Sequence, residues 1–427
     1  MHIDHLTLQN FNRFQNLEMR FDPQFNLLVG DNGAGKTTLL DALAIAAGSW
    51  FLGVDSRDAR PPKIREGYVR LDPREYESGR FTFEKQYPVR VSASGIVMGE
   101  KLTWMREKVS DRSSTRYGNA VEIREVGHRT VSAMRAGDEV VLPLIAIYGT
   151  ERLWINPGET GSRRARKKIP RENLSRLRGY RNSVGFTIDE DDLFDWIEKE
   201  TLIGLQSRSE STLFQVVKAA IRDCIEGAID LYYDVKTDEV VVVMQNRRTQ
   251  PFVNLSDGQR IMLTMVADLA IKATLLNPQL GKSVLKDTPG IVTIDELDLH
   301  LHPRWQRHVI QDLRRTFPSI QFIATSHSPQ LIGEVEPREI ILLRDHDSVN
   351  PPQAYGMDSN WVLRYVMGAD ERDREVKEAL SEIERMIAAS DFESARSRIG
   401  QMRSLIGNHP DLVRLSARID RLARQPA

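Results

Sequence analysis

Along residues 1–30, apolar positions alternate with polar ones. Ile3, Leu6 and Leu8 come first, then Leu17, Met19 and Phe21, with a turn over Asn10 to Phe14 between them. That period predicts two strands. After Asp22-Pro23, the run Phe25 to Val29 reads as a strand buried on both faces, followed by glycine-rich residues 30–38 and a helix from Thr38 to Ala47. Residues 51–140 carry mixed signals: loop over 53–79, with Pro61-Pro62, and strands over 80–109 marked by Phe81/Phe83, Val89/Val91 and Leu102/Trp104. Val140 to Tyr148 predicts another buried strand, and residues 189–234 read as helical, with Leu193, Trp196 and Ile197 and then Leu213, Val216, Val217, Ala220, Ile221 and Ile225 at helix spacing. A strand at 239–244, a helix at 256–276, a strand at 291–294, a helix at 304–316, a strand at 320–324 and a last strand from Glu339 to Leu343 follow. Beyond Asn350-Pro351-Pro352 the pattern turns wholly helical, near 373–389, 391–406 and 410–424. The apolar stripes there are Val376, Leu380, Ile383 and Ile387, then Phe392, Ala395, Ile399, Met402 and Leu405, then Leu412, Leu415, Ile419 and Leu422.

Alternating strands and helices predict an α/β fold. Four segments are expected: 1–150, with the glycine loop and inserted β structure; 151–238, basic and helical; 239–349, completing the core sheet; and 350–427, a helical extension. Three short helices make a small core, so apolar surface should be left over, to be covered by packing on the head or by docking a partner nuclease or another ATPase subunit.

Composition narrows the class. The 427 residues hold 59 Lys and Arg against 60 Asp and Glu, so polyanion binding by the chain as a whole is excluded, though a local basic patch is not. The one cysteine, Cys224, excludes a disulfide framework and any multi-cysteine metal centre. The opening MHIDHLTLQNF lacks the charged-then-apolar pattern of a secretory leader, and no apolar run is long enough to span a bilayer. The expectation is a cytoplasmic protein with no membrane partner.

Gly30-Asp31-Asn32-Gly33-Ala34-Gly35-Lys36-Thr37 fits G-x-x-x-x-G-K-[ST], with a strand before it and a helix after. In such a loop, backbone N–H groups surround phosphate oxygens, Lys36 reaches the β/γ-phosphates and the Thr37 hydroxyl ligates Mg²⁺. Asn32, Gly33, Ala34, Gly35, Lys36, Thr37 and Thr38 are the candidate ATP-binding residues.

Three further segments follow in order. Leu255-Ser256-Asp257-Gly258-Gln259-Arg260 opens a helix, with Ser256 and Gln259 spaced as a capping box. Ile291-Val292-Thr293-Ile294-Asp295-Glu296 is an apolar strand ending in two carboxylates, and Ile320 to His327 is a strand ending in a histidine. This series resembles the ABC-type ATPases, whose signature reads L-S-G-G-Q; Asp257 departs from it. The resemblance implies an ATP hydrolase in which Asp295 helps hold Mg²⁺, Glu296 orients or deprotonates the attacking water, and His327 senses the γ-phosphate. It further implies that Ser256, Gly258 and Gln259 act on ATP held by a second subunit, so that the chain works as a homodimer or larger assembly. His300 and His302 invite a metal reading, but Asp298-Leu-His-Leu-His-Pro303 is itself a structural motif of one group of these ATPases.

Thirty-seven positions separate Gly258 from Asp295, and 220 separate Lys36 from Ser256, leaving room for large insertions. Leu8-Gln9-Asn10-Phe11-Asn12-Arg13-Phe14 and the form of the loop resemble the RecF/SMC/OLD branch, which implies that Asn10 and Arg13 lie beside the nucleotide. Leu144 to Trp154, Gly179-Tyr180-Arg181-Asn182-Ser183 and Tyr355 to Trp361 resemble the compact bacterial ATPases of the Septu anti-phage type, PtuA-like proteins. That resemblance implies control of an HNH-type nuclease partner. The alternatives are a RecF-like DNA-repair ATPase and an ATP-binding scaffold without significant turnover. The stretch Arg163 to Arg181 holds nine basic residues against Glu172 and is a candidate DNA contact, or else a solvated insertion.

Overall fold

Strands β1 (His2–Phe11) and β2 (Phe14–Arg20) pair antiparallel, with Leu8 opposite Leu17 and Leu6 opposite Met19, so the alternating apolar positions share one buried face. This is the computed structural model of the chain, and it describes residues 1–56, 58, 60–75, 81–152, 175–188, 190–245, 248–344, the backbone of 347–349, and 354–423. Strand β3 (Phe25–Gly30) runs into the glycine loop and helix α1 (Lys36–Ala47), which buries Leu39, Leu40 and Leu43. Strands β4 (Leu71–Glu75) and β5 (Phe81–Lys85) form a two-stranded ribbon, and β6 (Val89–Val97) and β7 (Glu100–Lys108) extend the first sheet to the order β2-β1-β6-β7.

Helix α2 (Val121–Ala136) lies where the sequence gave no clear signal. Its buried positions, Ile123, Val126, Thr130 and Val131, do follow helix spacing, and Gly137 closes it with a φ of 102°. Strand β8 (Leu144–Tyr148) starts four residues later than expected, because Pro143 has no N–H to give a ladder. The expected helix over 189–234 is instead helix α3 (Glu190–Ser207), helix α4 (Thr212–Cys224) and strand β9 (Ala228–Asp234). Gly227, with φ 82°, stops the helical path, and β9 pairs with β10 (Glu239–Met244), Leu231 facing Val242 and Tyr233 facing Val240. The two strands form a hairpin with only residues 235–238 between them, but the short apolar pattern of 228–234 is ambiguous by itself, because strand formation depends on cross-strand packing more than on intrinsic preference. Strand β11 (Thr249–Pro251) completes this small sheet.

Helix α5 (Asp257–Leu276) is buried along most of its length, helix α6 (Val284–Asp287) is one turn, and strand β12 (Gly290–Ile294) enters the core. The expected helix over 304–316 is broken into α7 (Pro303–Gln306) and α8 (Val309–Thr316). Strand β13 (Ile320–Thr325), helix α9 (Pro329–Gly333), strand β14 (Ile340–Arg344) and strand β15 (Asp347–Val349) follow. The core sheet has the order β15-β14-β3-β13-β12-β8, parallel except for β15. Because parallel neighbours end on the same edge, the loops after β3, β8, β12 and β13 gather along one rim. The expected α/β head with inserted β structure, a helical lobe and a C-terminal helical extension is what the chain forms.

The chain divides into two compact units, Met1–Met357 and Asp358–Ala427. The second holds helices α10 (Ser359–Tyr365), α11 (Arg374–Ala388), α12 (Phe392–Ile406) and α13 (Pro410–Leu422). The last three share a core of Leu380, Ile383, Ile387, Ile399, Leu412, Leu415 and Ile419, with Val376, Phe392 and Leu422 packed at its margin. Leu405, expected in that stripe, is 77% exposed.

Candidate functional site

The loop after β3 is pinned from within. The Lys36 ammonium donates to the carbonyls of Gly30 (2.8 Å) and Asp31 (3.0 Å), and Ala34 N–H donates to Asp31 O at 3.0 Å. Gly35 caps α1 at φ 101°, and a Cβ there would fall 2.5 Å from the Phe14 ring and 2.9 Å from Arg13 Cδ. Glycine is therefore required twice over, and the same contact sets Arg13 against the loop. Asp31, Asn32 and Gly33 are exposed, and no described residue lies within 4 Å of where a Gly33 Cβ would stand, leaving the loop crest open to a ligand. Burial lowers the Lys36 pKa from its ordinary value, against the opposing fields of Asp295, Glu296, Asp31 and Asp298.

Parallel pairing brings the ends of β12 and β13 to this loop. Asp295 is buried, and its two oxygens take one hydroxyl each: Thr37 at 2.8 Å and Thr325 at 2.6 Å. The two residues expected to hold Mg²⁺ are thus in contact across 258 positions of sequence, and they offer hard oxygen donors of the kind Mg²⁺ takes. Glu296 follows in a left-handed conformation, φ 47°, with its N–H donating to Thr325 Oγ1 at 2.7 Å. Arg152, 2% exposed, donates to the carbonyls of Gly149 (3.1 Å), Asp295 (2.6 Å) and Glu296 (2.9 Å).

His327 stands two residues beyond β13, half-buried, its N–H donating to Asp298 Oδ1 at 3.4 Å. Ser256 and Gln259 form the anticipated capping box: Ser256 Oγ accepts from Gln259 N–H at 3.3 Å, and Gln259 Oε1 accepts from Ser256 N–H at 3.1 Å. Ser256 and Asp257 are exposed, whereas Gly258 is buried against the loop after β12, where a Cβ would meet the His300 carbonyl oxygen at 2.4 Å. His300 has φ 61°, and His302 caps α7 by accepting Arg304 N–H on Nδ1 at 3.2 Å. Among the described residues, no group of three or more His, Cys, Asp or Glu side chains is gathered to hold a metal. Asn10 uses its side-chain amide within the β-rich region, donating to Pro88 O at 3.1 Å.

Of the basic stretch, residues 163–174 lie outside the described residues. Arg176 is turned inward, donating to Leu276 O (2.7 Å) and Val140 O (2.6 Å), and Arg181 pairs with Asp192 at 2.7 Å.

Three participants were not assigned from sequence. Arg152 and Thr325 sat inside quoted motifs without a role, since nothing local says where a guanidinium or hydroxyl points. Asp41 follows Thr37 by one helical turn and takes a hydrogen bond from Tyr68. Burial raises its carboxyl to about 6, with Asp295 adding to the rise and the Tyr68 bond and Arg65 opposing it. Tyr68 stacks on Phe11 at 5.1 Å, and its carbonyl accepts Asn12 N–H at 2.7 Å. An acid one turn after the loop threonine is the only sequence signal that could have marked this group.

A family model described as an AAA domain matches residues 5–227, and a second AAA-domain model, whose description also names the AbiEii toxin of type IV TA systems, matches residues 148–333. The protein named Retron Ec83 probable ATPase, from Escherichia coli, is 25% identical over 92% of this chain and 81% of its own length. The Septu protein PtuA of Bacillus thuringiensis is 24% identical over 90% of this chain and 89% of its own. Among solved structures, the SMC head bound to the C-winged helix domain of ScpA aligns with a TM-score of 0.47 at 17% identity, covering 82% of this chain and 97% of that one. No described helix is long and apolar enough to cross a membrane.

Proposed function

The chain belongs to the AAA-domain family, and from that premise we propose that it binds and hydrolyses ATP with Mg²⁺, dimerises on ATP, and controls a partner nuclease in bacterial anti-phage defence. The observation that carries the ATPase reading is the meeting of Thr37 with Asp295 beside a pinned glycine loop, with Glu296 next in the chain. The names of the retron and Septu relatives, matched over most of the chain, support the defence role. The HNH-type partner rests on the Septu likeness alone.

The residues divide the work. The loop N–H groups of Asn32 to Thr38 and the N-terminal end of α1 receive the phosphates. Lys36 exchanges its two loop carbonyls for phosphate oxygens, a charge-assisted contact stronger than those it gives up. Thr37 and Asp295 are the residues that would hold Mg²⁺. When bound, that ion neutralises charge on the phosphate oxygens. Glu296 orients the attacking water and accepts its proton. His327 donates toward the γ-phosphate. Arg13, set against Gly35, is assigned to the nucleotide, whereas Asn10 spends its side-chain amide on the Pro88 carbonyl. Exposed Ser256, at the positive end of α5, is offered to ATP on a second copy, with Gln259 holding its geometry and Gly258 allowing the close approach of the His300 loop.

Replacing Glu296 by Gln tests the reading. The amide keeps the shape but cannot take a proton, so hydrolysis should fall by about 100-fold or more while ATP binding persists. With ATP, the variant should elute as a dimer. Hydrolysis at the wild-type rate, or a monomer at saturating ATP, would sink the proposal.

A further inference from the structure

The geometry points to Arg152 as the positioning residue for the catalytic carboxylate: its guanidinium fixes the peptide carbonyls of Asp295 and Glu296 and so aims the Glu296 side chain. The inference rests on the ATPase reading above and adds a residue to it.

Glu296 occupies a backbone conformation that residues with a Cβ rarely hold, φ 47°. Such a conformation persists only where its surroundings over-determine it. Here the peptide groups on both sides are held. Thr325 Oγ1 accepts the Glu296 N–H at 2.7 Å, and Arg152 Nη2 donates to the Glu296 carbonyl at 2.9 Å. Arg152 Nη1 also donates to the Asp295 carbonyl at 2.6 Å and to Gly149 O at 3.1 Å, tying the end of β12 to the turn after β8. That turn is itself anchored, because Asp295 N–H donates to Tyr148 O at 2.8 Å.

The choice of residue follows from the geometry. Three carbonyls in different directions need a planar fork with several donors, which a lysine ammonium on a flexible stem does not provide. Arg152 is almost wholly buried and its Nε has no partner among the described residues, so it is not a surface cation held there for solubility. Burial brings its pKa down to about 10 while Asp295, Glu296 and Asp298 pull the other way, so it remains charged at neutral pH. Its hydrogen bonds end on carbonyls and not on those carboxylates, which leaves the Glu296 carboxylate available for its own chemistry.

The test compares Arg152→Lys and Arg152→Gln with the parent chain, each also in the Glu296→Gln background. Single-turnover hydrolysis, ATP affinity by calorimetry and the melting temperature are read for all. Misdirecting a catalytic group by an ångström costs on the order of 100-fold, so both Arg152 variants should hydrolyse about that much more slowly. Their affinity for ATP should change by less than about threefold. In the Glu296→Gln background the same changes should add less than about twofold, because groups acting as a unit are non-additive. An unchanged rate in either Arg152 variant, full additivity with Glu296→Gln, or a loss of ATP affinity equal to the loss of rate overturns the inference. So does failure of both variants to fold, which would make Arg152 a general structural prop. If Glu296→Gln itself hydrolyses normally, it is the ATPase reading that falls.

Discussion

Replacing Thr325 by Val removes one oxygen from the centre of the site and leaves no cavity. The hydroxyl donates to Asp295 Oδ1 at 2.6 Å and accepts from Glu296 N–H at 2.7 Å, in a side chain with no exposed surface. The carboxylate loses a charge-assisted donor, worth about 2 kcal/mol, and a buried N–H loses its acceptor, worth about 1 kcal/mol. A valine of the same shape returns little of either, so the larger unit should lose about 3 kcal/mol in urea denaturation, with Thr325→Ser close to the parent. A chemical effect should accompany the stability loss. Thr325 orients a residue assigned to Mg²⁺, and removing such a support costs about 10- to 100-fold in metal affinity. The Mg²⁺ concentration giving half-maximal hydrolysis should rise accordingly in the valine variant and not in the serine one. A stability change under about 0.5 kcal/mol together with an unmoved Mg²⁺ requirement would refute the argument that this hydroxyl joins the acidic pair.

Gly258→Ala would bring a Cβ to 2.4 Å from the His300 carbonyl oxygen, so the loop after β12 must move; hydrolysis should fall on the order of 100-fold with ATP affinity retained, and wild-type turnover would show that the loop yields freely. Asp41 has a folded-state pKa of about 6 against the usual 3.8, so between those values the folded chain keeps a proton that the unfolded chain has lost, and stability falls as pH rises through that window. Asp41→Asn removes the titration; its melting temperature should gain on the parent from about pH 4 to about pH 6 and hold a steady lead above, whereas a gap constant across that range contradicts the assignment. Ile383→Ala empties the middle of the three-helix core and should cost that unit about 3 kcal/mol, read by hydrogen exchange of α11 to α13, while ATP hydrolysis stays within about twofold; unaltered exchange would mean the core is not where Ile383 contributes.

The glycine loop, the capping box and the paired carboxylates were legible in the chain because each depends on neighbours a few residues apart. A strand-loop-helix with glycines at set positions cradles phosphate by local backbone geometry, and Ser256 reaches Gln259 within one turn. The individual buried strands of the core were also readable, since strands buried on both faces are continuous apolar runs. What sequence could not decide was anything set by pairing across distance. Residues 228–234 are a local case of the same kind: their spacing continues a helical stripe, and only the hairpin ladder with the adjacent β10 makes them a strand. Helix α2 emerges from an indistinct stretch by packing against β7. Thr37 meets Asp295 only because β3 and β12 flank β13 in one sheet and end at one rim. The same stacking turns Arg152 and Thr325 onto Glu296 from opposite sides, and sets the His300 carbonyl where Gly258 leaves room for it. Side-chain type along the chain specifies what each group can donate or accept; only the tertiary structure specifies which groups are close enough to do so, because hydrogen bonds act over about 3 Å and the chain brings these partners together from opposite ends.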